Sequence, residues 1–400
     1  MLKIAILGFG VVGGGVADVI DLNRESIEKR IGKKVDIKYI LDLREFPDSP
    51  YKDRVVHDFE TIAADKELDI AVEAMGGLHP AYDFTKRLLE NGVSVVTSNK
   101  HVVAEKGAEL LKTASEHGAR YMFEASVGGG IPVLTPLRDS LAANGIDSID
   151  GILNGTTNYI LDQMIEYGKT FEEALKEAQQ KGYAEADPTA DVEGIDAARK
   201  ICILNAIATG VSVSPDAICT KGITDIKLED VRIASEAGYS VKLIGHADSE
   251  NGKINISVEP KLVPFSDILS RVDGVYNAIK VKGNASDDVT FVGRGAGKMP
   301  TASAVVGDVI DIALFPDKAN QEWEPADENA LLPSEEKVGR YYIRVAEDED
   351  EAGLAFGNVE ILKSGSGECA FITEKVNKKM LDRGIRYFAS EPLAVIAVKE

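Results

Sequence analysis

The chain has 400 residues, with 45 Lys or Arg against 66 Asp or Glu, a formal net charge of −21. So acidic a surface argues against nonspecific binding to nucleic acid or anionic membranes, while a 44% hydrophobic content is enough for ordinary folded cores. The length predicts two or three domains, and the three scattered cysteines, Cys202, Cys219 and Cys369, have no Cys-x-x-Cys spacing to suggest a zinc site or a disulfide framework.

Residues 3–7 read as a short buried strand. Gly8-Phe9-Gly10-Val11-Val12-Gly13 follows, then a helix-compatible run from Gly14 to about Lys29. This is Gly-x-Gly-x-x-Gly in the strand–turn–helix setting that gives it meaning. Gly8 permits the turn, Gly10 admits a pyrophosphate and Gly13 lets the helix pack on the strand. Phe9 and Val12 lie in the same turn and are counted with the glycines as cofactor-binding. The plainer alternative is a glycine-rich turn with no ligand. A second strand, 35–41, ends at Asp42. An acid there accepts hydrogen bonds from the adenosine ribose and favours NAD. Arg44 instead suits the 2′-phosphate of NADP, or is a solvated surface residue. The stretch from Gly13 to Asp42 is long for such a unit, so the first helix or its loop is expected to be extended.

Residues 69–75 read as a strand broken by Gly76-Gly77, then a helix over 80–90 and a strand over 93–97 ending in Ser98-Asn99-Lys100. This alternation predicts a parallel sheet with helices on both faces. Ligands bind at the carboxyl ends of such strands, where Thr97 and Lys100 lie. Lys100 could also be a plain surface lysine. Glu124 precedes Gly128-Gly129-Gly130. Three glycines let carbonyls converge, and one carboxylate with several carbonyls suits a hard cation. A hinge between domains is the simpler reading. Near residue 154 a strand turns into a helix, whose first amides can bind an anion, so Gly155 and Thr156 are candidates. Thr156 as a simple helix cap has equal standing.

An amphipathic helix over 171–181 ends at Gly182. Four acids follow, Glu185, Asp187, Asp191 and Asp196, and Lys200 stands four residues after Asp196, on the same helix face. Any one of these could be an N-cap or a surface ion pair. The set together looks like an active site. Residues 254–293 alternate in short runs and read as antiparallel strands. A Gly293–Thr301 turn leads to a helix over 302–314, 316–338 read as a linker, and 339–400 as a small α+β piece.

The Gly8–Gly13 turn, Gly155-Thr156 with Tyr159, the 182–200 segment and Gly295-Ala296-Gly297, in this order, resemble the homoserine dehydrogenase family up to about residue 315. The resemblance implies reversible reduction of L-aspartate 4-semialdehyde to L-homoserine with NAD or NADP, in threonine and methionine biosynthesis. It implies that Lys200 is the acid/base, with Asp196, Asp191 and Lys100 as the other catalytic residues. Glu185, Asp196, Gly182, Tyr183, Gly155 and Thr156 would line the substrate site. Thr97, Lys100, Gly182 and Gly297 would join the glycine turn, Asp42 and Arg44 around the cofactor. A sodium ion would be held by Glu124 and the carbonyls of Val127, Gly129 and Ile131.

The chemistry suits these residues. Glu185 can pair with the substrate's ammonium, and the alkoxide left by hydride transfer needs a proton that a lysine ammonium can give. A free lysine titrates near ~10.4, so alkaline pH would favour the reverse, oxidative direction.

The expected α/β fold is therefore a Rossmann-type doubly wound nucleotide domain (1–130 with about 300–315) and an α/β catalytic and dimerisation domain (131–299). The tail (339–400) resembles an ACT module, but Asp350-Glu351-Ala352-Gly353 stands for the usual Asp-x-Pro-Gly and the stretch for a full helix and second strand is too short. An effector site there is in doubt, and a role in assembly is the alternative. A homodimer in the cytoplasm is expected, with no nucleic-acid or membrane partner. The rival is a dinucleotide-sensing protein that binds cofactor without turnover and signals through the tail.

Overall fold

The computed structural model describes every residue except Asn251, Glu328 and Ser366, and of Glu250 only the main chain. Among the described residues no helix is long and apolar enough to cross a membrane. The chain opens with β1 (Leu2–Leu7), α1 (Val11–Leu22), α2 (Arg24–Ile31), β2 (Val35–Leu41), β3 (Val55–Val56), α3 (Phe59–Ala63), β4 (Ile70–Glu73), α4 (Ala81–Glu90), β5 (Ser94–Thr97), α5 (Lys100–Glu116) and β6 (Tyr121–Met122). Then come β7 (Ile146–Ile152), α6 (Gly155–Tyr167), α7 (Phe171–Gln180), α8 (Thr189–Val192), α9 (Ile195–Thr209), β8 (Val211–Ser212), β9 (Cys219–Thr220) and α10 (Leu228–Glu236). The long hairpin β10 (Tyr239–Glu250) and β11 (Lys253–Pro264) precedes β12 (Tyr276–Gly283), β13 (Asp287–Arg294), α11 (Lys298–Leu314) and β14 (Glu324–Pro325). The last elements are β15 (Val338–Val345), α12 (Glu349–Phe356), β16 (Val359–Gly365), β17 (Glu368–Thr373), β18 (Val376–Asn377), α13 (Lys378–Ile385) and β19 (Ala394–Val398).

One compact unit comprises Met1–Gly145, Cys202–Asp216 and Phe291–Ala326. Its sheet is parallel, in the order β3-β2-β1-β4-β5-β6. That is the strand order of a doubly wound nucleotide-binding fold. Strands covered on both faces must be apolar throughout, and Ile4, Ile6, Val72 and Val96 are wholly buried. Burying each such side chain contributes about 1.5–3 kcal/mol. Helix α11 packs on α1 at close range: a Cβ on Gly15 would meet Ala302 and Lys298 at 3.0 Å. The single helix expected over 14–29 is two, α1 and α2, parted at Asn23, and α2 takes up the extra length before Asp42. The first part of the expected linker is also structured. β14 pairs with β8, and Trp323 lies 5.4 Å from Phe123 over Gly107, where a Cβ would come within 2.5 Å of the indole. Within that linker, Glu328 lies outside the described residues.

The other unit comprises Ile146–Ile201, Ala217–Thr290 and Asp327–Glu400. Its sheet runs β13-β12-β7-β10-β11-β19-β15-β17-β16. The tail contributes β15-α12-β16-β17-α13-β19, a βαββαβ run with strand order β19-β15-β17-β16, which is ferredoxin-like. One expectation is corrected here. The stretch judged too short holds both helix α12 and strand β16. The tail's β19 continues the sheet, joining β11 in parallel through Lys261–Ala397 and Leu262–Val398.

A buried charge pair reinforces that junction. Arg344 on β15 donates from Nε to Asp230 Oδ1 at 2.7 Å and from Nη2 to Oδ2 at 3.2 Å, and Tyr342 donates to the same carboxylate at 2.9 Å. Asp230, on α10, is completely buried. Removing one partner of such a pair strands a charge without water. R344A is therefore expected to cost about 3–5 kcal/mol, read as a lowered denaturant midpoint. A change within the range of a surface pair, below about 1 kcal/mol, would show that the pair anchors nothing.

Candidate active site

In the nucleotide-binding unit, β1 delivers the chain to Gly8 at φ +91°, where a Cβ would lie 2.9 Å from the Ala74 carbonyl oxygen. A Cβ on Gly13 would sit 1.9 Å from the Gly8 carbonyl, so these two positions require glycine. At Gly10 a Cβ would meet nothing within 4 Å, so the space a phosphate needs is present. No side chain caps α1 at Gly10, which leaves the helix start, with the Val12 amide, suited to an anion. These residues fit a dinucleotide.

Asp42 accepts from the Phe9 amide at 2.8 Å. It also accepts from Arg44, through the amide at 3.0 Å and through Nε and Nη2 at 2.9 Å. The Arg44 guanidinium holds the Asp42 carboxyl well below the usual carboxylate range, against the effect of partial burial. The two residues expected to compete for the adenosine end are thus bound to each other. Arg44 remains exposed, over the Phe46 ring at 5.2 Å.

Thr97, at the end of β5, is fully buried and donates to Glu73 Oε2 at 2.6 Å, while the Met75 amide donates to Glu73 Oε1 at 2.7 Å. Burial pushes the Glu73 carboxyl up. Asn99 donates to the Gly77 carbonyl at 2.7 Å and caps α5, which begins at Lys100. One buried acid therefore ties the ends of β4 and β5 together, a role the sequence did not suggest.

The Gly128–Gly130 turn nests against residues 294–300. A Cβ on Gly129 would lie 2.6 Å from the Gly295 carbonyl oxygen, and the Gly130 amide donates to the Arg294 carbonyl at 3.3 Å. Gly297, at φ +128°, caps α11. Glu124, expected at a cation site, has main-chain partners. The Glu124 carboxylate accepts the amides of Val133, Leu134 and Thr135 at 2.6–2.8 Å. These three main-chain donors orient the carboxylate toward residues 133–135. Asp308 on α11 accepts the Glu124 amide at 2.8 Å, and burial pushes its carboxyl well up.

In the second unit the acidic segment meets the start of α6. Lys200 is 7% exposed and donates from Nζ to Asp196 Oδ2 at 2.8 Å and to the Leu153 carbonyl at 2.7 Å. Asn154 donates from Nδ2 to Asp191 Oδ1 at 2.7 Å and to Asp196 Oδ2 at 2.9 Å, and its Oδ1 accepts the Thr157 amide as N-cap of α6. Gly155 must be glycine, since a Cβ would lie 2.7 Å from the Val275 carbonyl oxygen. The Thr156 hydroxyl donates to the Tyr183 carbonyl at 2.7 Å, holding the 182–187 loop at the helix start. Tyr183 itself is exposed, edge-on to Tyr159 at 5.0 Å, and Gly182 ends α7 at φ +72°. Glu185 is exposed, and among the described residues its carboxylate has no hydrogen-bond or ion-pair partner. Asp187 is taken by Thr189, through both its amide and its hydroxyl.

A buried lysine among acids at a helix start, in a chain with a nucleotide turn, narrows the reaction type, and the comparisons name it. The family model for homoserine dehydrogenase matches residues 132–310, and that for the NAD-binding domain of homoserine dehydrogenase matches residues 8–124. The homoserine dehydrogenase of Neisseria gonorrhoeae is 42% identical over 366 residues, 88% of this chain and 83% of the relative. The chain belongs to the homoserine dehydrogenase family. A homoserine dehydrogenase structure from Thiobacillus denitrificans aligns with a TM-score of 0.90 at 34% identity, covering 100% of this chain and 98% of that one. A hyperthermophilic archaeal homoserine dehydrogenase in complex with NADPH aligns with a TM-score of 0.67 at 28% identity, covering 80% and 99%. The family is one of NAD(P)-dependent oxidoreductases, and these likenesses do not favour the sensor reading.

For a homoserine dehydrogenase, two sequence readings of this region need correction. The cap of α6 is Asn154, not Thr156. Asp191 is no cap for α9; it lies inside α8, and Gly194 at φ +81° separates the two helices. Asn154 was missed as a site residue. Its one local signal is an N-cap residue type at the end of a strand.

Asp191 is half-buried, and burial, aided by the charge of Asp196, pushes its carboxyl up despite the bond from Asn154. A carboxyl raised in the folded state contributes stability below its unfolded value, and that contribution is lost as pH rises through the raised one. At neutral pH ionised Asp191 is therefore a net burden on the fold. D191N keeps an Oδ1 acceptor for Asn154 and removes the charge. It is expected to raise the melting midpoint at pH 7 but not near pH 4, while lowering turnover by roughly 10²-fold. An equal midpoint change at both pH values would contradict a raised Asp191.

Proposed function

We propose that Lys200 carries the proton in the reversible reduction of L-aspartate 4-semialdehyde to L-homoserine, with Asp196 holding it in place. The observation that carries this reading is the buried Lys200 ammonium, fixed by Asp196 and by the Leu153 carbonyl beside the start of α6. A bound reduced nicotinamide supplies the hydride. Lys200 gives a proton to the oxygen of the carbon that receives it, and its charge stabilises that oxygen while it is still an anion. The first amides of α6, at Gly155 and Thr156, suit the substrate carboxylate. Glu185, exposed and with no partner among the described residues, is available to the ammonium, and Gly182, Tyr183 and Asp191 complete the pocket wall. Lys100 is the second lysine of the reading, acting at the end of β5 beside Thr97.

K200A is expected to lower turnover by about 10²–10⁴-fold while leaving NADPH binding, followed by its fluorescence, unchanged. Turnover at the parental rate would remove Lys200 from the mechanism.

Asp42 and Arg44 neutralise each other, which supports use of both NAD and NADP. The NADPH bound by the archaeal relative supports the second. Arg44 can turn from Asp42 to a 2′-phosphate, whereas a ribose hydroxyl needs only the acid. R44A is expected to raise KM for NADP by about 10–100-fold, the worth of one charge-assisted contact, with little change for NAD. Equal effects on the two cofactors would count against this division of roles.

The Gly128–Gly130 turn suits a sodium ion held by main-chain carbonyls of Val127, Gly129 and Ile131, with Glu124 offering its own carbonyl rather than its carboxylate. Phe265, Ile268 and Tyr276, all exposed near β12, support assembly as a homodimer through the sheet. A cytoplasmic location, in keeping with a biosynthetic enzyme, completes the reading. The ferredoxin-like tail, read as ACT-like from sequence, is assigned a part in assembly.

A further inference from the structure

We propose that Asn154 is a positioning residue for catalysis: one side-chain amide sets Asp191 and Asp196 in register with Lys200. This rests on Lys200 acting as proposed above.

The amide has one oxygen and two N–H donors, and the fold uses all three. The oxygen takes the Thr157 amide at 2.9 Å. The two donors go to two different acids, Asp191 at 2.7 Å and Asp196 at 2.9 Å. The opposite amide orientation would aim an oxygen at both carboxylates and an NH₂ group at an N–H, so the network admits one assignment. The Asp196 oxygen that Asn154 reaches is the one that accepts the Lys200 ammonium. The preceding residue, Leu153, gives its carbonyl to that ammonium. Two adjacent residues at the end of β7 therefore hold the lysine and both acids, which come from α8 and α9.

Asn154 is 5% exposed, so water does not substitute for it. A neutral donor also has a use that a second cation would not. It lets two acids approach one point without drawing the lysine's charge away from Asp196. The groups facing Asp191 are Asn154 and Thr156 from the start of α6, and Asp196 and Lys200 from α9. The bonds from Asn154 and Thr156 and the charge of Lys200 hold its carboxyl down, while burial and Asp196 push it up.

The plain alternative is that Asn154 is only a helix cap. Serine and aspartate cap as well as asparagine, so they separate the two roles. N154S keeps the cap and lacks the NH₂ group. If Asn154 positions the acids, N154S loses about 10–100-fold in kcat, keeps its KM for the cofactor and stays close to the parental melting midpoint. The acid limb of its kcat/KM profile moves to higher pH, because the Asn154 bond no longer holds Asp191 down. In the D191N background the N154S loss shrinks, since the two residues act as a pair. N154D keeps the cap but sets a third carboxylate against the other two. It is expected to be slower than N154S at pH 8 and to recover toward it as pH falls and the new carboxyl protonates into a donor. Parental kcat and pH profile in N154S, or losses that add independently with D191N, would overturn the proposal. So would N154D behaving as the parent, which also decides the matter if N154S fails to fold. K200A separates the two failures: if it abolishes turnover while N154S does not, Lys200 stands and only the role of Asn154 falls.

Discussion

An ammonium and a carboxylate that are both almost wholly removed from water must satisfy each other and find further partners, or the fold will not hold them. Lys200 and Asp196 meet that condition one helical turn apart on α9. Their geometry is local, but the partners that complete it are not. The Leu153 carbonyl comes from the residue just after β7, and for that strand end to lie close enough the sheet gives up side chains. A Cβ on Gly245 would come within 2.8 Å of Leu153 and 3.3 Å of Ile201, and one on Gly151 within 2.6 Å of Leu153. Glycines at these two paired positions let the α9 face settle on the strands. Removing one partner of such a pair is costly, so the site and the packing of its sheet stand or fall together.

The same constraint recurs along this sheet and explains why the tail is continuous with it. Lys399, next to the last residue, is buried between Asp150 and Asp267, at 3.1 Å from each. Asp150 also meets His246 at 2.8 Å. Burial alone would lower the histidine, but the carboxylates of Asp150 and Asp248 outweigh it and hold the ring on the protonated side of its usual range. With Arg344 and Asp230, these pairs bind the final strand and β15 into the body of the unit. A module attached through buried charges is not one that swings, which favours a structural part for it over a mobile regulatory one.

What could be read from the sequence follows from how local each cause is. The Gly8–Gly13 turn was legible because each glycine answers to a clash within a few residues or to the neighbouring strand end. Lys200 and Asp196 were legible because four residues on a helix make neighbours. Asn154 was not, because its two acid partners lie 37 and 42 residues away on different helices. The partners of the Glu124 carboxylate are not local either: they are the amides of 133–135, lying between Pro132 and Pro136 in a stretch with no helical signature in the sequence. In the tail, β16 escaped because it is largely exposed without alternation, and α12 because it is only eight residues long with acids crowding its first turn.

The contrast between the Asp196–Lys200 and Asp42–Arg44 pairs bears on the proposed selectivity. Asp196 and Lys200 are buried and cross-braced, so neither can turn elsewhere without leaving the other stranded. Asp42 and Arg44 lie two residues apart in a loop, and the guanidinium is mostly in solvent. The Asp42 side chain is only 9% exposed, but it keeps the Phe9 amide as a partner when the guanidinium turns into solvent. A site that must fix one proton on one oxygen gains from the first arrangement. The proposed use of a ribose with or without a phosphate would gain from the second, because the arginine that must turn is the solvent-exposed partner. The proposed strictness toward the reacting carbonyl and the proposed tolerance toward the coenzyme would then differ in one variable, the access of water to the cation of each pair.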